Sequence, residues 1–285
     1  MHLSPSTFDN IRKAIHGLCG IVLADDKQYL VVTRLEPVLK RNGLHSYESF
    51  VQALQHPDAL ELREQLIEAI TTRETSFNRD GHPFEELRRL ILPELASRLL
   101  ERRAAHNLLV QKARLWCAAT ATGQEAYSVA MAVHDFLASR PSLGLQLDDF
   151  PILASDISME ALAVAREGRY SGAELSRGMT EGQRDRFFRR DDRGWVVNPS
   201  LRRAIEFRRL NLVQPLPNLG TFDLILCRNF LIYLDDPTRR RLCRNLHQTL
   251  NPGGILIIGA AESIHGLTDA FNSERLGGTV VHRKR

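Results

Sequence analysis

Long apolar runs are absent from this sequence. No stretch of its 285 residues approaches the roughly 18 consecutive apolar residues that a membrane-spanning helix requires. The amino terminus, residues 1–5, also lacks the basic segment followed by an apolar run that marks a secretory signal. We therefore expect a soluble protein that stays in the cytoplasm and inserts no segment into a membrane.

Cysteine is scarce, and its spacing argues against two common kinds of structural site. The chain has four cysteines, with no Cys-x-x-Cys pair and no histidine at ligand spacing, so it predicts neither a disulfide framework nor a structural zinc site. The ten histidines are equally dispersed. We expect reduced thiols and no metal cofactor. The cysteines are Cys19, Cys117, Cys227 and Cys243.

Aromatic residues make up 7% of the chain, and they are not interleaved with its basic clusters. The formal net charge is +4, but the clustered arginines lie close to acidic residues in the sequence, which is typical of solvated surfaces. We therefore expect no nucleic-acid partner. A modest positive charge suits an acidic protein partner equally well. The clusters are at residues 202–203, 208–209 and 239–241.

The first quarter of the chain has the apolar spacing of short amphipathic helices. From residue 6 to residue 70, apolar side chains recur at intervals of three and four. We predict a small helical domain over residues 1–75 and a helical linker over residues 76–112. Pro93 favours two linked helices in this linker, with the proline in the first turn of the second. The bundle is interrupted at Gly20, Gly43 and Asp58.

The spacing of the apolar residues changes over residues 113–285. Short apolar runs alternate there with helical stretches, which indicates an α/β domain with a doubly wound, mostly parallel sheet. Alternating residues predict a small antiparallel β insertion at about residues 187–210. The predicted strands of the insertion are 194–197 and 204–207, and those of the main sheet are 115–119, 152–154, 222–226, 254–258 and 276–282.

One predicted strand ends in a group of polar residues. The uniformly apolar run from Leu224 to Leu226 is followed closely by Arg228 and Asn229, and then by Tyr233. Uniformly apolar strands belong to parallel sheets covered on both faces, and ligands bind such sheets beyond the carboxyl ends of the strands. We therefore predict that Arg228, Asn229 and Tyr233 face a ligand.

Two earlier strands also lead into residues suited to a nucleotide ligand. Gly123 follows the first strand and Asp156 closes the second, where a tight turn and a carboxylate can contact ribose and its substituents. The Gly-x-Gly-x-x-Gly pattern is missing, so the residues alone leave Asp156 open between a ribose contact and a cap for the helix at 159–166. Glu125 is an acid of the kind favoured in a first helical turn, a role that would not exclude ligand binding.

Four segments of the chain carry a more specific signal. They are Thr71–Arg79, Thr122–Ser128, Ala154–Ile157 and Cys227–Asn229. Together and in this order they resemble the chemotaxis receptor glutamate methyltransferases, the CheR family, and the resemblance covers nearly the whole chain. It implies a class I methyltransferase fold that uses S-adenosyl-L-methionine to esterify glutamates on a methyl-accepting chemoreceptor, with S-adenosyl-L-homocysteine as the other product.

The resemblance also implies which residues form the site. Arg79 and Tyr233 match the methyl-transfer end, so we expect them to be catalytic, with the Arg79 guanidinium orienting the attacking carboxylate. Arg73 stands where family members usually have asparagine, and its contact with the cofactor stays open. The implied cofactor-binding residues are Thr75, Arg79, Glu125, Asp156, Asn211, Leu212, Arg228 and Asn229.

The implied partner is the cytoplasmic domain of a chemoreceptor. The helical domain carries a basic face of Lys27, Arg34, Lys40 and Arg41, which is either an ordinary solvated face or a docking surface for acidic receptor helices. Some family members grip a receptor tail peptide with the β insertion. The charged stretch at 189–195 has a single glycine and predicts no dependence on a tail peptide. We expect a monomer.

Two alternatives stay open on the sequence. Family members usually have a second acid and a proline where this chain has Gln124 and Ala126. A regulatory module that binds S-adenosylmethionine without transferring its methyl group is therefore one alternative. A methyltransferase for a small molecule or another protein is the other, and its helical domain would not bind receptor helices.

Overall fold

The computed structural model describes residues 1–105 and 111–285. Its first part is a helical bundle with α1 (Pro5–Cys19), α2 (Gln28–Arg41), α3 (Tyr47–Gln55) and α4 (Leu60–Ile70). Helix α1 begins after Ser4, whose hydroxyl accepts the Thr7 N–H, and ends at Gly20 in the left-handed conformation. The apolar spacing is confirmed, because these side chains form one core: Phe8, Ile11, Ile15, Val31, Leu35, Leu39, Tyr47, Phe50 and Leu66.

The segment after α4 is anchored by one aromatic side chain. Residues 71–76 have no regular secondary structure, and Phe77 is fully buried. Its ring meets those of Tyr170 and Phe188 edge-on at centroid distances of 5.0 and 5.5 Å. Phe77 therefore holds this segment against the second part of the molecule.

Helices α5 (His82–Glu86) and α6 (Leu92–Ala104) follow, joined by a π-helical turn at Leu87–Ile91. Pro93 lies in the first turn of α6, which confirms its predicted place in the second of two linked helices. Residues 106–110 of the predicted linker lie outside the described residues, and the domain limits at 75 and 112 stay predictions.

The second part of the molecule is built on a seven-stranded sheet. The strands of the described residues are β1 (Leu115–Ala118), β2 (Ile152–Asp156), β3 (Arg169–Tyr170), β4 (Phe188–Asp191), β5 (Gly194–Val197), β6 (Ile205–Arg209), β7 (Phe222–Cys227), β8 (Leu250–Ile258), β9 (Phe271–Leu276) and β10 (Thr279–Lys284). The sheet has the order β6-β2-β1-β7-β8-β10-β9. The pairs from β6 to β8 are parallel, and β10 and β9 add an antiparallel edge. The predicted mostly parallel sheet is confirmed.

Both faces of this sheet are covered by helices. Leu224 and Leu226 of β7 belong to the core under α6 and α7 (Gln124–Ala138), whereas Ile225 and Cys227 belong to the core under α12 (Asp236–Thr249). This alternation explains why every residue of β7 is buried and why its run from Leu224 to Leu226 is uniformly apolar. The helices of this part are α7 (Gln124–Ala138), α8 (Met159–Glu167), α9 (Gly172–Ser176), α10 (Glu181–Phe187), α11 (Pro199–Arg203) and α12 (Asp236–Thr249).

The antiparallel insertion is present, but one of its predicted strands was wrong. The small sheet has the order β3-β5-β4, whereas the strand predicted at 204–207 is β6 of the main sheet. It pairs in parallel with β2, with Ile205 opposite Ile152. An edge strand covered on one face has the same alternating pattern as a hairpin strand, so periodicity alone did not separate the two.

The predicted final strand at 276–282 was also wrong in extent. A turn at Gly277-Gly278 divides this region into β9 and β10. The two strands pair antiparallel, with Phe271 opposite Lys284 at one end and Leu276 opposite Thr279 at the other. Among the described residues, no helix is both long and apolar enough to cross a bilayer.

Candidate functional site

A cavity of about 380 Å³ lies at the carboxyl ends of the parallel strands, and both parts of the molecule form its walls. This is the position at which doubly wound sheets bind ligands. Of the predicted site residues, those that line it are Thr75, Arg79, Glu125, Asp156, Asn211, Leu212, Arg228, Asn229 and Tyr233.

The turn after β1 approaches the cavity through an unusual backbone. Ala119 and Ala121 have φ of 59° and 49°, and Gly123 has φ of 95°. A Cβ at Gly123 would lie 2.8 Å from the Cβ of Ala165, so a side chain would separate this turn from α8. The glycine therefore lets β1 turn sharply into α7, which places Glu125 at the cavity wall.

Asp156 closes β2 and is held by two backbone amides. Its Oδ2 accepts the Ala121 N–H at 2.8 Å and its Oδ1 accepts the Ser158 N–H at 2.9 Å. The residue that caps α8 is Ser158, whose hydroxyl accepts the Ala161 N–H, so the capping alternative for Asp156 was wrong. Burial raises the pKa of Asp156, and the backbone N–H donors oppose that rise.

Arg228 lies at the centre of a buried ion-pair network. Its guanidinium donates to Glu125 Oε2 at 3.1 Å, to Asp80 Oδ2 at 2.7 Å and to the Arg79 carbonyl at 2.9 Å. The Arg228 side chain is 1% exposed. Burial raises the pKa of Glu125, while the positive charge of Arg228 lowers it. Arg228 thus joins β7, α7 and the segment that carries Arg79.

The loop after β7 is shaped by a glutamate that the sequence did not single out. Asn229 has φ of 58°, and its N–H donates to Glu262 Oε2 at 2.8 Å. The same carboxylate accepts the Gly259 N–H at 2.7 Å and the Ile232 N–H at 3.2 Å. Glu262 therefore holds the backbone that presents Asn229 and Tyr233. It stands 33 positions from Asn229, and no local pattern marks it.

The helical domain contributes a wall that sequence reasoning missed. Asn211 donates from Nδ2 to the Leu18 carbonyl at 2.8 Å, and the Tyr233 carbonyl accepts the Val22 N–H at 2.8 Å. These bonds join the end of α1 to the loops after β6 and β7. The helical-domain residues that line the cavity include Cys19, Ile21, Val22, Leu23, Lys27, Leu30 and Arg34.

Arg34 and Arg73 make contacts that the sequence did not predict. Arg34 lines the cavity and donates to the Ile70 carbonyl at 2.8 Å, so it is not part of an exposed basic face. Arg73 is absent from the described residues that line the cavity, and it pairs with Glu68 at 2.9 Å and Glu160 at 2.8 Å. Lys40 and Arg41 are exposed as predicted.

Two polar atoms in the cavity wall have unmet hydrogen-bonding capacity. Thr120 Oγ1 and Arg228 Nε are buried without a hydrogen-bond partner among residues 1–105 and 111–285. Buried polar atoms of this kind are rare, and ligand atoms are one way to satisfy them. With the carboxylates of Asp156 and Glu125, they form a donor and acceptor set that fits a ligand with hydroxyl and amino groups.

Comparison with known proteins identifies the family. The family model for the CheR methyltransferase all-alpha domain matches residues 6–71, and that for the CheR methyltransferase SAM binding domain matches residues 73–278. The chain belongs to the CheR methyltransferase family. It is therefore an S-adenosylmethionine-dependent methyltransferase of chemotaxis, and the cavity residues described above fit that cofactor.

Individual CheR relatives are similar over nearly their full lengths. A chemotaxis protein methyltransferase of Pseudomonas aeruginosa is 35% identical, with all of both chains aligned. The chemotaxis protein methyltransferase Cher2 of Pseudomonas putida is 34% identical over 98% of each chain. One from Vibrio cholerae is 34% identical over 99% of this chain and 98% of its own.

Replacing Arg228 with alanine should destabilise this CheR protein strongly. The change leaves the buried Glu125 carboxylate without its cation, so we expect a loss of about 3–5 kcal/mol in the free energy of unfolding at neutral pH. Burial already holds the pKa of Glu125 above its unfolded value, and loss of Arg228 raises it further. The deficit should shrink as pH falls through that raised pKa, because the protonated acid tolerates burial.

Urea unfolding at several pH values measures this effect. Arg208→Ala is the control, because Arg208 forms an exposed ion pair with Glu206 and should cost at most about 1 kcal/mol. Equal losses in the two variants would contradict the role given to Arg228.

Proposed function

We propose that this protein methylates glutamate side chains on the cytoplasmic helices of a chemoreceptor and forms methyl esters. The observation that carries the proposal is that Asp156 and Glu125, and also Arg79 and Tyr233, line one and the same cavity. The first pair suits a nucleoside with an amino-acid tail. The second pair suits a carboxylate that approaches the reacting end.

In this proposal, residues at different strand ends contact different parts of the cofactor. Asp156 accepts hydrogen bonds from the ribose hydroxyls, as an acid after the second strand does in nucleotide-binding sheets. Asn211 and Leu212 lie beside the adenine. Glu125 and its partner Arg228 face the amino-acid end, together with Thr75 and Asn229. Two unpaired atoms in this wall, Thr120 Oγ1 and Arg228 Nε, support a polar ligand there.

The proposed chemistry is a direct displacement. Bound S-adenosylmethionine supplies a sulfonium methyl carbon, which becomes the methyl ester as S-adenosylhomocysteine leaves. A glutamate with an ordinary pKa near 4.3 is already ionised at neutral pH, so the protein needs no general base. It also needs no metal to activate the nucleophile. Its task is alignment, which can lower a barrier by roughly 7–11 kcal/mol.

Arg79 is suited to orient the incoming carboxylate. Arg79 lines the cavity, and its guanidinium donates to the Glu74 carbonyl at 3.2 Å, a neutral partner. Further N–H donors of the fork can therefore bind a substrate carboxylate. A very strong clamp would stabilise the ground state as much as the transition state, so we assign Arg79 orientation and not charge neutralisation. Tyr233 then lies beside the methyl group.

The receptor is proposed to dock through the exposed part of the helical domain, without a tail peptide. Lys40 and Arg41 are exposed at the end of α2 and keep the positive charge that suits acidic helices. Strand β4 forms an edge of the small sheet, and its residues 189–191 are exposed charged side chains that hinder the addition of a peptide strand. We place the protein in the cytoplasm as a monomer.

The decisive experiment is methyl transfer from labelled S-adenosylmethionine to a purified receptor cytoplasmic domain. We expect label in the receptor that is released as methanol by mild base, because methyl esters hydrolyse and N-methyl groups do not. A receptor whose methylation-site glutamates are replaced by alanine is the control. Base-stable label, or cofactor binding with no transfer to any receptor, would contradict the proposal.

Asp156→Asn should weaken the binding of S-adenosylhomocysteine roughly tenfold at pH 8, because it removes a charged acceptor for the ribose hydroxyls. Burial raises the pKa of Asp156, so wild-type affinity should fall as the pH is lowered through that pKa. The affinity of the variant should change less with pH, and the change that remains should come from the titration of Glu125. Calorimetry from about pH 8 to about pH 5 measures both effects, and wild-type affinity in a folded Asp156→Asn protein would exclude the role.

Arg79→Ala and Tyr233→Phe should lower turnover more than cofactor affinity. Misalignment of the carboxylate should reduce kcat by roughly a hundredfold for Arg79→Ala, and loss of the hydroxyl by roughly tenfold for Tyr233→Phe. Kinetics with saturating receptor separate these effects from binding. Arg193→Ala and Tyr29→Phe, at exposed positions, serve as controls. Wild-type kcat in either site variant would remove that residue from the mechanism.

Charge reversal at the end of α2 should slow receptor methylation. Lys40→Glu with Arg41→Glu should lower kcat/KM for the receptor, more at low salt than at high salt, because long-range attraction is screened by salt. Cofactor affinity should not change. Arg240→Glu with Arg241→Glu is matched in charge and lies on exposed positions of α12. Equal rates in the two double variants would place the docking surface elsewhere.

A further inference from the structure

The end of α4 in the helical domain contacts the beginning of α8 in the sheet domain through Glu68. Its Oε1 accepts the Met159 N–H at 2.6 Å and the Glu160 N–H at 3.3 Å. Its Oε2 accepts the Ser158 hydroxyl at 2.5 Å. The Glu68 side chain is 14% exposed. One carboxylate from a different part of the molecule thus satisfies two of the first N–H groups of this helix.

The same helix start is shared with Asp156. Ser158 donates its N–H to Asp156 Oδ1 and its hydroxyl to Glu68 Oε2, while the hydroxyl also accepts the Ala161 N–H. The first free N–H groups of α8 are therefore divided between Glu68 and Ser158, while Asp156 accepts the N–H of the cap residue Ser158. Movement of Ser158 would displace the donor that holds one oxygen of Asp156.

Arg73 completes this arrangement. Its Nη2 lies 2.9 Å from Glu68 Oε2, 3.0 Å from the Glu68 carbonyl and 2.8 Å from Glu160 Oε2. A cation here offsets the negative charge of Glu68, which lies near the Asp156 carboxylate, and also pairs with Glu160. It also fixes the Glu68 side chain in the rotamer that reaches α8. Arg73 therefore acts on the site from outside the cavity.

We propose that Glu68, held by Arg73, is a positioning residue for Asp156, so that the helical domain sets the affinity of the cofactor site by fixing the start of α8. The proposal depends on the ribose-binding role given to Asp156 above. It explains how a helical domain that lines part of the cavity can also control Asp156, a cavity residue of the sheet domain. It also gives Arg73 a role that requires no contact with the cofactor.

The test measures S-adenosylhomocysteine binding by calorimetry in Glu68→Ala, Asp156→Asn and the double variant. Glu68→Ala should bind roughly tenfold more weakly, because misplacement of a binding group by a fraction of an ångström is costly. Glu68→Gln retains one acceptor and should restore part of the affinity. The control is Glu61→Ala, an exposed glutamate on the same helix, which should bind as wild type does.

The double variant separates positioning from general stabilisation. If Glu68 acts through Asp156, its loss should add little once Asp156 is already asparagine. If the two substitutions acted independently, their fold losses in affinity would multiply in the double variant, and that result would overturn the proposal. Affinity in Glu68→Ala equal to that in Glu61→Ala would also overturn it. With saturating cofactor and receptor, kcat should be retained while KM for S-adenosylmethionine rises.

Hydrogen exchange of the ligand-free protein gives a second readout. The amides of Ser158 and Met159 should exchange faster in Glu68→Ala and in Arg73→Asn, while the amides of β2 keep their protection. Unchanged exchange at both amides would overturn the proposal. Failure of the wild-type protein to bind S-adenosylhomocysteine would instead refute the proposed function, and unaltered binding by Asp156→Asn would refute the role of Asp156.

Discussion

The cavity depends on the buried guanidinium of Arg228. A buried charge is costly unless it is paired, and here two carboxylates and a carbonyl offset that cost. The partners come from two other parts of the chain: Glu125 on α7, and Asp80 and Arg79 on the segment between the two domains. One side chain thus joins a strand end, the helix that faces it and the segment that carries the proposed catalytic arginine.

The helical domain is part of the site and not only a neighbour of it. Its own core is separate from the two cores of the sheet domain. It nevertheless supplies one wall of the cavity and contacts three loops of the sheet, through the Leu18 carbonyl, Val22 and Glu68. A cofactor in the cavity would therefore be covered on one side by a domain that also presents the exposed charges of Lys40 and Arg41. The proposed docking surface and one wall of the cavity therefore belong to the same domain.

Local pattern was a good guide wherever a residue's role follows from its position in a strand or helix. The apolar run of β7 predicted that Arg228, Asn229 and Tyr233 would lie at a strand end, and all three line the cavity. Local pattern failed where two structures share one period, as at β6, where an edge strand has the alternation of a hairpin. It also missed Glu262. Two of the N–H groups that its carboxylate binds lie far away in the sequence, and the third belongs to a nearby residue that no motif marks.

The sequence by itself determined the division into a helical part and an α/β part, the mostly parallel sheet and the polar strand ends, because these follow from apolar spacing within a few residues. The four segments that resemble the CheR family predicted the cofactor, S-adenosylmethionine. Only the tertiary structure decided that Arg34 points toward the cavity, that Arg73 pairs with Glu68 and Glu160, and that Glu68 caps α8. These side chains are long and charged, and helical spacing does not tell which partner such a side chain reaches. Their partners were brought within reach only when the two domains packed together.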